Sequence, residues 1–90
     1  MRSTSLTLIN PLGLHARAAS KLVDVTKVFG STITLSKEDT AADGKSIMAL
    51  LMLGAPVGTS LQLEVDGEDE DLAYNAVCEL VNAGFNELEG

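Results

Sequence analysis

Alternating polar and apolar residues predict strands in three places along the chain. Residues 5–8, 32–35 and 61–65 each alternate with a period of two, which is the pattern of a strand that buries one face. The polar segment 37–44 has room for a turn and a short edge strand. Four strands are therefore predicted, and the first is followed by turn-forming residues at 10–13.

Between these strands the hydrophobic spacing changes to that of helices. From Ala16 onward the apolar residues share one helical face, and Gly30 is a natural stop for that helix. A short helix is predicted from Ser46 through Leu53, and a longer one from about residue 69 to 83. The core-facing residues expected on the first and last helices are Ala16, Ala19, Leu22, Val23 and Thr26, and Ala73, Ala76, Val77, Leu80 and Val81.

The order of these elements predicts an α+β fold. The order is strand, helix, strand, short strand, short helix, strand and long helix, without the repeated strand–helix–strand rhythm of a parallel sheet. We expect an antiparallel sheet that is covered by helices on one face. Residues 1–90 are too few to form two separate cores, so a single domain is predicted.

Composition narrows the classes of function. Apolar residues make up 46% of the chain, and with two phenylalanines, one tyrosine and no tryptophan the core is expected to be aliphatic. The net charge of −7 and the scarcity of aromatic stacking platforms argue against nucleic-acid binding. We interpret the acid-rich C-terminal helix and tail as a solvated surface.

Cysteine use and hydropathy bear on the cellular compartment. Cys78 is the single cysteine, so no internal disulfide forms, and its helical position predicts a buried, unreactive thiol. The N-terminus lacks a signal sequence, and the longest apolar run is far short of a membrane span. These features predict a cytoplasmic protein without a membrane partner.

His15, the one histidine, lies at the junction between a turn and the first helix. The first-turn N–H groups of a helix have no internal partner and attract anions such as phosphate. A neutral imidazole is a competent nucleophile toward phosphorus, and Arg17 is near enough to neutralise phosphoryl oxygens. These residues fit a reversible phosphohistidine site. A surface histidine that merely lies near a helix start fits the local pattern as well.

Ser46 has the pattern of a helix N-cap, and this role alone is sufficient reason for a serine there. A second role as a phosphorylation site is open, because a phosphoserine would add charge that repels an acidic partner. Gly44-Lys45-Ser46 is not the end of a nucleotide-binding P-loop, since Asp39 stands where that motif needs its first glycine.

The segment from Ile47 to Leu53 has no polar residue on any face. A short helix in so small a domain cannot easily bury its whole circumference. If Leu50 and Leu53 face the core, the residues left partly exposed form an apolar docking patch; they are Ile47, Met48, Leu51 and Met52. The alternatives are a helix buried in the core or in a dimer interface.

Several functional classes lack the residues that they need. One histidine and one cysteine at distant positions do not form a metal site, and no catalytic set of carboxylates or of serine, histidine and aspartate follows from the spacing. An autonomous enzyme is therefore not expected. An acyl carrier protein is also small, acidic and serine-bearing, but Lys45 before Ser46 and the predicted strands argue against it.

Two segments resemble the signatures of HPr, the family of histidine-containing phosphocarriers of the bacterial phosphotransferase system. The first, Asn10-Pro11-Leu12-Gly13-Leu14-His15-Ala16-Arg17-Ala18-Ala19, resembles the active-site motif of the family. The second is Gly44-Lys45-Ser46-Ile47-Met48 through Leu53-Gly54, followed by Gly58-Thr59. Their order and separation also agree, so the resemblance extends over essentially the whole chain.

The resemblance implies a fold and a function. The fold is an open-faced β-sandwich with four antiparallel strands and three helices on one side. Nδ1 of His15 would accept a phosphoryl group from phosphorylated Enzyme I, itself charged by phosphoenolpyruvate, and pass it to an enzyme IIA. Arg17 would support the phosphoryl group. No cofactor is implied, and a monomer is expected.

The resemblance also implies a docking surface and a regulatory site. Both partner enzymes would dock on a surface made of Leu14, Ala19, Ser20, Ile47, Met48, Leu51 and Met52. Ser46 matches the position that a dedicated ATP-dependent serine kinase phosphorylates in some members of the family. A protein with this fold whose His15 is never phosphorylated, acting only as an interaction module, is the remaining alternative.

One residue departs from the sugar-type members of the family. These usually have proline directly after the active-site arginine, where this chain has Ala18. Three features are more similar to the nitrogen-related carriers called NPr. They are Ala18, the sequence from Asp43 to Met52, and the segment Asn82-Ala83-Gly84-Phe85. The resemblance therefore favours the nitrogen-related regulatory branch, with a sugar-type carrier regulated at Ser46 as the alternative.

Overall fold

The computed structural model describes residues 1–87. Over this range the chain forms four strands and three α-helices, followed by one short 3-10 turn. In chain order they are β1 (Arg2–Thr7), α1 (Ala16–Thr26), β2 (Thr32–Lys37), β3 (Thr40–Asp43), α2 (Ile47–Met52), β4 (Ser60–Asp66), α3 (Glu70–Asn82) and the C-terminal turn (Gly84–Asn86). All seven predicted elements are present, while the C-terminal turn was not predicted.

The four strands form one antiparallel sheet in the order β1-β4-β2-β3. Along the central strands, apolar side chains on the buried face alternate with polar side chains on the other face, and Leu35 lies opposite Leu63 on the buried face. The other face carries short polar side chains such as Ser5, which lies opposite Gln62. The predicted α+β fold, an open-faced sandwich with helices on one side of the sheet, is confirmed.

The core lies between the sheet and the helices and is mostly aliphatic. The prediction of a wholly aliphatic core is wrong in one respect, because Phe85 is fully buried and is the largest buried side chain in the described part of the chain. Its C-terminal turn packs against α1 and α3. The single thiol, Cys78, is only half-buried, and this partial burial raises its pKa.

Burial on the helices follows the predicted spacing with small shifts. On α1 the buried residues include Ala18, which was not predicted to face the core. Ala16, which was predicted to do so, is the first residue of the helix and is exposed to solvent. On α3 the fully buried positions are Ala73, Val77 and Val81, and Ala76 and Leu80 are half-buried.

Asp69 joins the start of α3 to the loop before β2. Its carboxylate accepts hydrogen bonds from the backbone N–H groups of Gly30 and Ser31, at 2.9 and 3.0 Å, and from the Ser31 hydroxyl. Gly67 allows this close approach, because a Cβ there would lie 2.5 Å from Ser31 Oγ. These hydrogen bonds lower the pKa of the Asp69 carboxyl, and the bond from the Ser31 hydroxyl has the largest effect.

The lowered pKa predicts how stability depends on acid. The pKa of an aspartate in the unfolded chain is about 4. The stabilisation of the fold by the ionised Asp69 carboxylate is therefore present at neutral pH and is lost as the pH falls through the lower pKa of the folded state. We expect Asp69→Asn to unfold more easily than the parent at pH 7, and the difference to shrink below pH 4. Urea unfolding across this pH range measures it, with the exposed turn residue in Asp39→Asn as control. A constant difference at every pH would contradict the assignment.

Candidate functional site

His15 is the N-cap of α1, and its backbone is extended there. Its Nδ1 accepts a hydrogen bond of 3.3 Å from the backbone N–H of Arg17. A ring nitrogen that accepts from an N–H presents its lone pair, so the proton of the neutral ring is on Nε2. The imidazole thus offers Nδ1 as the nucleophilic atom at a helix N-terminus.

The loop before His15 depends on Gly13. Its φ of +63° is in the left-handed region, and a Cβ at this position would lie 2.4 Å from the carbonyl oxygen of Ala55. The next residue, Leu14, donates its N–H to the same oxygen at 2.9 Å. This close contact joins the loop before α1 to the segment after α2, so both sides of the site are held together.

Glu87 contacts His15 from the end of the described chain. Its carboxylate oxygens Oε1 and Oε2 lie 3.0 and 2.9 Å from Nε2 of His15. The buried amide of Asn10 donates to Glu87 Oε1 at 2.9 Å and to the carbonyl of Gly13 at 2.7 Å. The hydrogen bond with His15 lowers the pKa of the Glu87 carboxyl, and the bond from Asn10 lowers it further.

Sequence reasoning missed Glu87 and the role of Asn10. The acidic tail was interpreted as a solvated surface, and for Glu87 this is wrong, since its side chain is only 14% exposed. The signal that points to it is indirect: an aromatic residue, Phe85, follows the last helix and anchors the chain in the core.

Arg17 lies in the first turn of α1, close to His15 along the chain. Its backbone N–H is bonded to the imidazole, while its side chain is exposed to solvent. Within residues 1–87 it forms no salt bridge with a carboxylate. The guanidinium is therefore available to an anion that approaches the N-terminus of α1.

An exposed apolar surface lies on α2, which packs against α1. Met48 and Met52 are 69% and 80% exposed, Ile47 is also exposed, and Leu51 is half-buried. We call these four residues the α2 surface. Leu50 and Leu53 face the core, as the spacing predicted.

The structure does not bring every predicted docking residue to the surface. Ser20 is exposed on α1. Leu14 and Ala19 are 5% and 0% exposed, because both side chains point into the core under α1. The prediction that Leu14 and Ala19 contact a docking partner is therefore wrong, because their side chains are not at the surface. Leu12 and Val57, which were not predicted, are exposed in the loops before α1 and after α2.

Ser46 caps α2. Its hydroxyl oxygen accepts from the backbone N–H of Ala49 at 3.2 Å, as its sequence position predicted. The residue is half-buried and directly precedes Ile47, so it borders the α2 surface.

Together these groups form a site for a tetrahedral anion bonded to nitrogen. The N–H groups of the first helical turn, which have no partner within the helix, and the Arg17 guanidinium favour negative charge beside Nδ1. In the described part of the chain no cluster of histidine, cysteine and carboxylate residues could hold a metal ion. None of the helices within residues 1–87 is long and apolar enough to cross a membrane.

Comparison with known proteins agrees with this geometry. The family model described as "PTS HPr component phosphorylation site" matches residues 2–83. The phosphocarrier protein HPr of Pseudomonas aeruginosa is 47% identical over 90 residues, with 99% of this chain and 100% of the relative covered. The phosphocarrier protein NPr of Shewanella violacea is 42% identical over 82 residues, with 91% and 90% covered.

A solved structure gives the same result. The crystal structure of HPr from Thermoanaerobacter tengcongensis superposes with a TM-score of 0.93 at 33% identity, covering 97% of this chain and 98% of that one. Fold and site thus define a phosphocarrier. The chain belongs to the HPr family of the phosphotransferase system.

Proposed function

We propose that His15 accepts a phosphoryl group on Nδ1 from phosphorylated Enzyme I and donates it to an enzyme IIA. The observation that carries this proposal is the hydrogen bond from the Arg17 N–H to Nδ1, which shows that the lone pair of that nitrogen points to the N-terminus of α1, where a phosphoryl group that replaces this bond would lie. The phosphoryl group would then lie where the helix and the Arg17 guanidinium both favour negative charge.

The transfer is a displacement at phosphorus. The Nδ1 lone pair of His15 leaves its hydrogen bond with the Arg17 N–H and forms the new nitrogen–phosphorus bond, while the bond from phosphorus to the donor group of Enzyme I breaks and its electron pair returns to that group. Passing the group to an enzyme IIA reverses these roles. Arg17 neutralises the equatorial oxygens in both directions.

Two branches of the phosphotransferase system are candidates for this carrier. Ala18 after Arg17 and the 42% identity to an NPr support the nitrogen-related regulatory branch, which we propose. The alternative is a sugar-type carrier, which the 47% identity to the HPr of Pseudomonas aeruginosa supports.

Phosphotransfer with purified partners tests the proposal. The protein is mixed with phosphoenolpyruvate and either a nitrogen-type or a sugar-type Enzyme I, and its intact mass is measured before and after acid treatment. One acid-labile phosphoryl group is expected, gained faster from the nitrogen-type enzyme and lost on addition of an enzyme IIA. Faster gain from the sugar-type enzyme would reverse the branch, and no gain from either would overturn the carrier function.

The α2 surface and Ser20 are proposed to dock both partner enzymes. Adaptable methionines on a helix that packs against α1 suit a surface that must fit more than one partner. Ser46 borders this surface, so we also propose that a serine kinase acting there would regulate docking through added charge.

Negative charge introduced at the α2 surface is expected to weaken binding of Enzyme I. Met48→Asp would bury a charge in an apolar contact, and Ser46→Asp would repel an acidic partner. We expect each variant to raise the Kd about tenfold, equivalent to roughly 1.4 kcal/mol. Titration calorimetry measures the change, with Leu72→Asp, at an exposed leucine on α3, as control. Unchanged affinity for both variants would remove the docking assignment, and unchanged affinity for Ser46→Asp alone would remove the regulatory one.

A further inference from the structure

The C-terminal turn has an unusual backbone. Gly84, Phe85 and Asn86 have φ values of 63°, 55° and 61°, so three consecutive residues adopt the left-handed region. For a bulky residue such as Phe85 this conformation is strained and persists only where the surroundings enforce it. Here the ring is fully buried, and Lys21 donates from Nζ to the Phe85 carbonyl at 2.7 Å.

This turn reverses the chain after α3 and directs Glu87 toward His15. The Glu87 carboxylate reaches Nε2 with both oxygens, and the buried Asn10 amide holds one of them. Asn10 also donates to the carbonyl of Gly13, so it connects the carboxylate to the loop that places His15. A buried ring, a lysine and an asparagine thus fix one acidic side chain behind the imidazole, on the side opposite to Nδ1.

We propose that Glu87 is a positioning residue for phosphoryl acceptance, which holds the proton of His15 on Nε2 and balances the positive charge of the ring as Nδ1 bonds phosphorus. This inference rests on the proposed function. The two hydrogen bonds of the ring agree with each other: Arg17 N–H donates to Nδ1, and Nε2–H donates to Glu87. Both favour the single tautomer in which Nδ1 is nucleophilic.

The charge balance follows from the transfer step. When the Nδ1 lone pair forms the bond to phosphorus, the proton stays on Nε2 and the ring becomes cationic. A carboxylate hydrogen-bonded to Nε2 stabilises this cation more than the neutral ring, so it accelerates transfer to His15. Within residues 1–87, the charged residues that contact the ring are Glu87, at Nε2, and Arg17, whose backbone N–H is bonded to Nδ1. Lys21 is bonded to the carbonyl of Phe85 at the turn.

Glu87→Gln tests this role, because glutamine keeps the size of the side chain and loses its charge. An amide can donate or accept, so it fits either tautomer of His15. We expect phosphorylation by Enzyme I to slow about tenfold, because the cationic ring loses the carboxylate that stabilises it. We also expect the ¹⁵N shifts of unphosphorylated His15 to move from one tautomer toward a mixture. Glu79→Gln, at an exposed position of α3, makes the same charge change away from the ring.

The outcomes separate this inference from the proposed function. If the parent protein and Glu79→Gln are phosphorylated and Glu87→Gln matches them in rate and in ¹⁵N shifts, the role of Glu87 is wrong and the carrier function stands. If the parent gains no phosphoryl group, the proposed function fails, and unchanged tautomer shifts in Glu87→Gln would then reject the positioning role as well. A slower rate together with mixed tautomers supports it, whereas lower stability alone, with both readouts unchanged, would show a purely structural contact.

Discussion

Replacing His15 with asparagine is expected to abolish phosphoryl acceptance and to leave the fold at nearly its parent stability. Asparagine has no nucleophilic nitrogen, but its side-chain oxygen is a good N-cap and replaces the bond that Nδ1 now accepts from Arg17 N–H. Intact-mass spectrometry after incubation with phosphoenolpyruvate and Enzyme I measures the first effect, and thermal unfolding measures the second.

His15→Ala separates the chemical role of this residue from its capping role. Alanine removes both, so we expect the same loss of phosphorylation together with about 1 kcal/mol of lost stability, or roughly 4–8 °C in Tm. An acid-labile phosphoryl group on either variant would show that another residue is the acceptor. Equal stability of the two variants would show that the cap contributes nothing.

Replacing Phe85 with alanine is expected to give the largest loss of stability among these changes. The ring is fully buried, and truncation of such a phenylalanine costs about 3–5 kcal/mol. It also removes the anchor that enforces the left-handed turn, so Glu87 loses its place beside His15 and phosphorylation slows as in Glu87→Gln.

Urea unfolding and phosphorylation rates measure the two effects of Phe85→Ala. Phe29→Ala is the matched control, because Phe29 is only half-buried and lies outside the C-terminal turn. A smaller loss is expected for this variant, without a change in rate beyond its effect on folding. If Phe29→Ala were equally destabilising, or if Phe85→Ala were phosphorylated at the parent rate, the turn would not have the anchoring role described here.

The strands and helices were predictable because local pattern and tertiary burial agree. The period-two segment 61–65 lies within β4, and Ser46 begins a helix whose Leu50 and Leu53 face the core. The ends were less predictable: β1 extends back to Arg2 because β4 provides pairing partners along its whole length, from Val65 to Ser60. Pairing of that kind depends on residues far away in the chain.

The acceptor half of the site was predictable, and the supporting half was not. His15 and Arg17 belong to one helix start, so a local pattern identifies them. Glu87 is 72 residues away from His15 and reaches it through a left-handed turn that includes two residues other than glycine. Local preferences argue against such a turn, and the burial of Phe85 and the bond from Lys21 to its carbonyl make it favourable. The burial of Leu14 and Ala19 also depends on tertiary packing. The resemblance therefore implied a docking role for these two residues, although the core encloses them.

The nitrogen that receives the phosphoryl group tests the central claim most directly. Uniformly ¹⁵N-labelled protein is phosphorylated by Enzyme I and phosphoenolpyruvate, and its ³¹P and ¹⁵N resonances are recorded. We predict that phosphorus is coupled to Nδ1 of His15, while Nε2 keeps its proton beside Glu87. Coupling of phosphorus to Nε2, or a phosphoryl group on Ser46 that survives acid, would contradict the account.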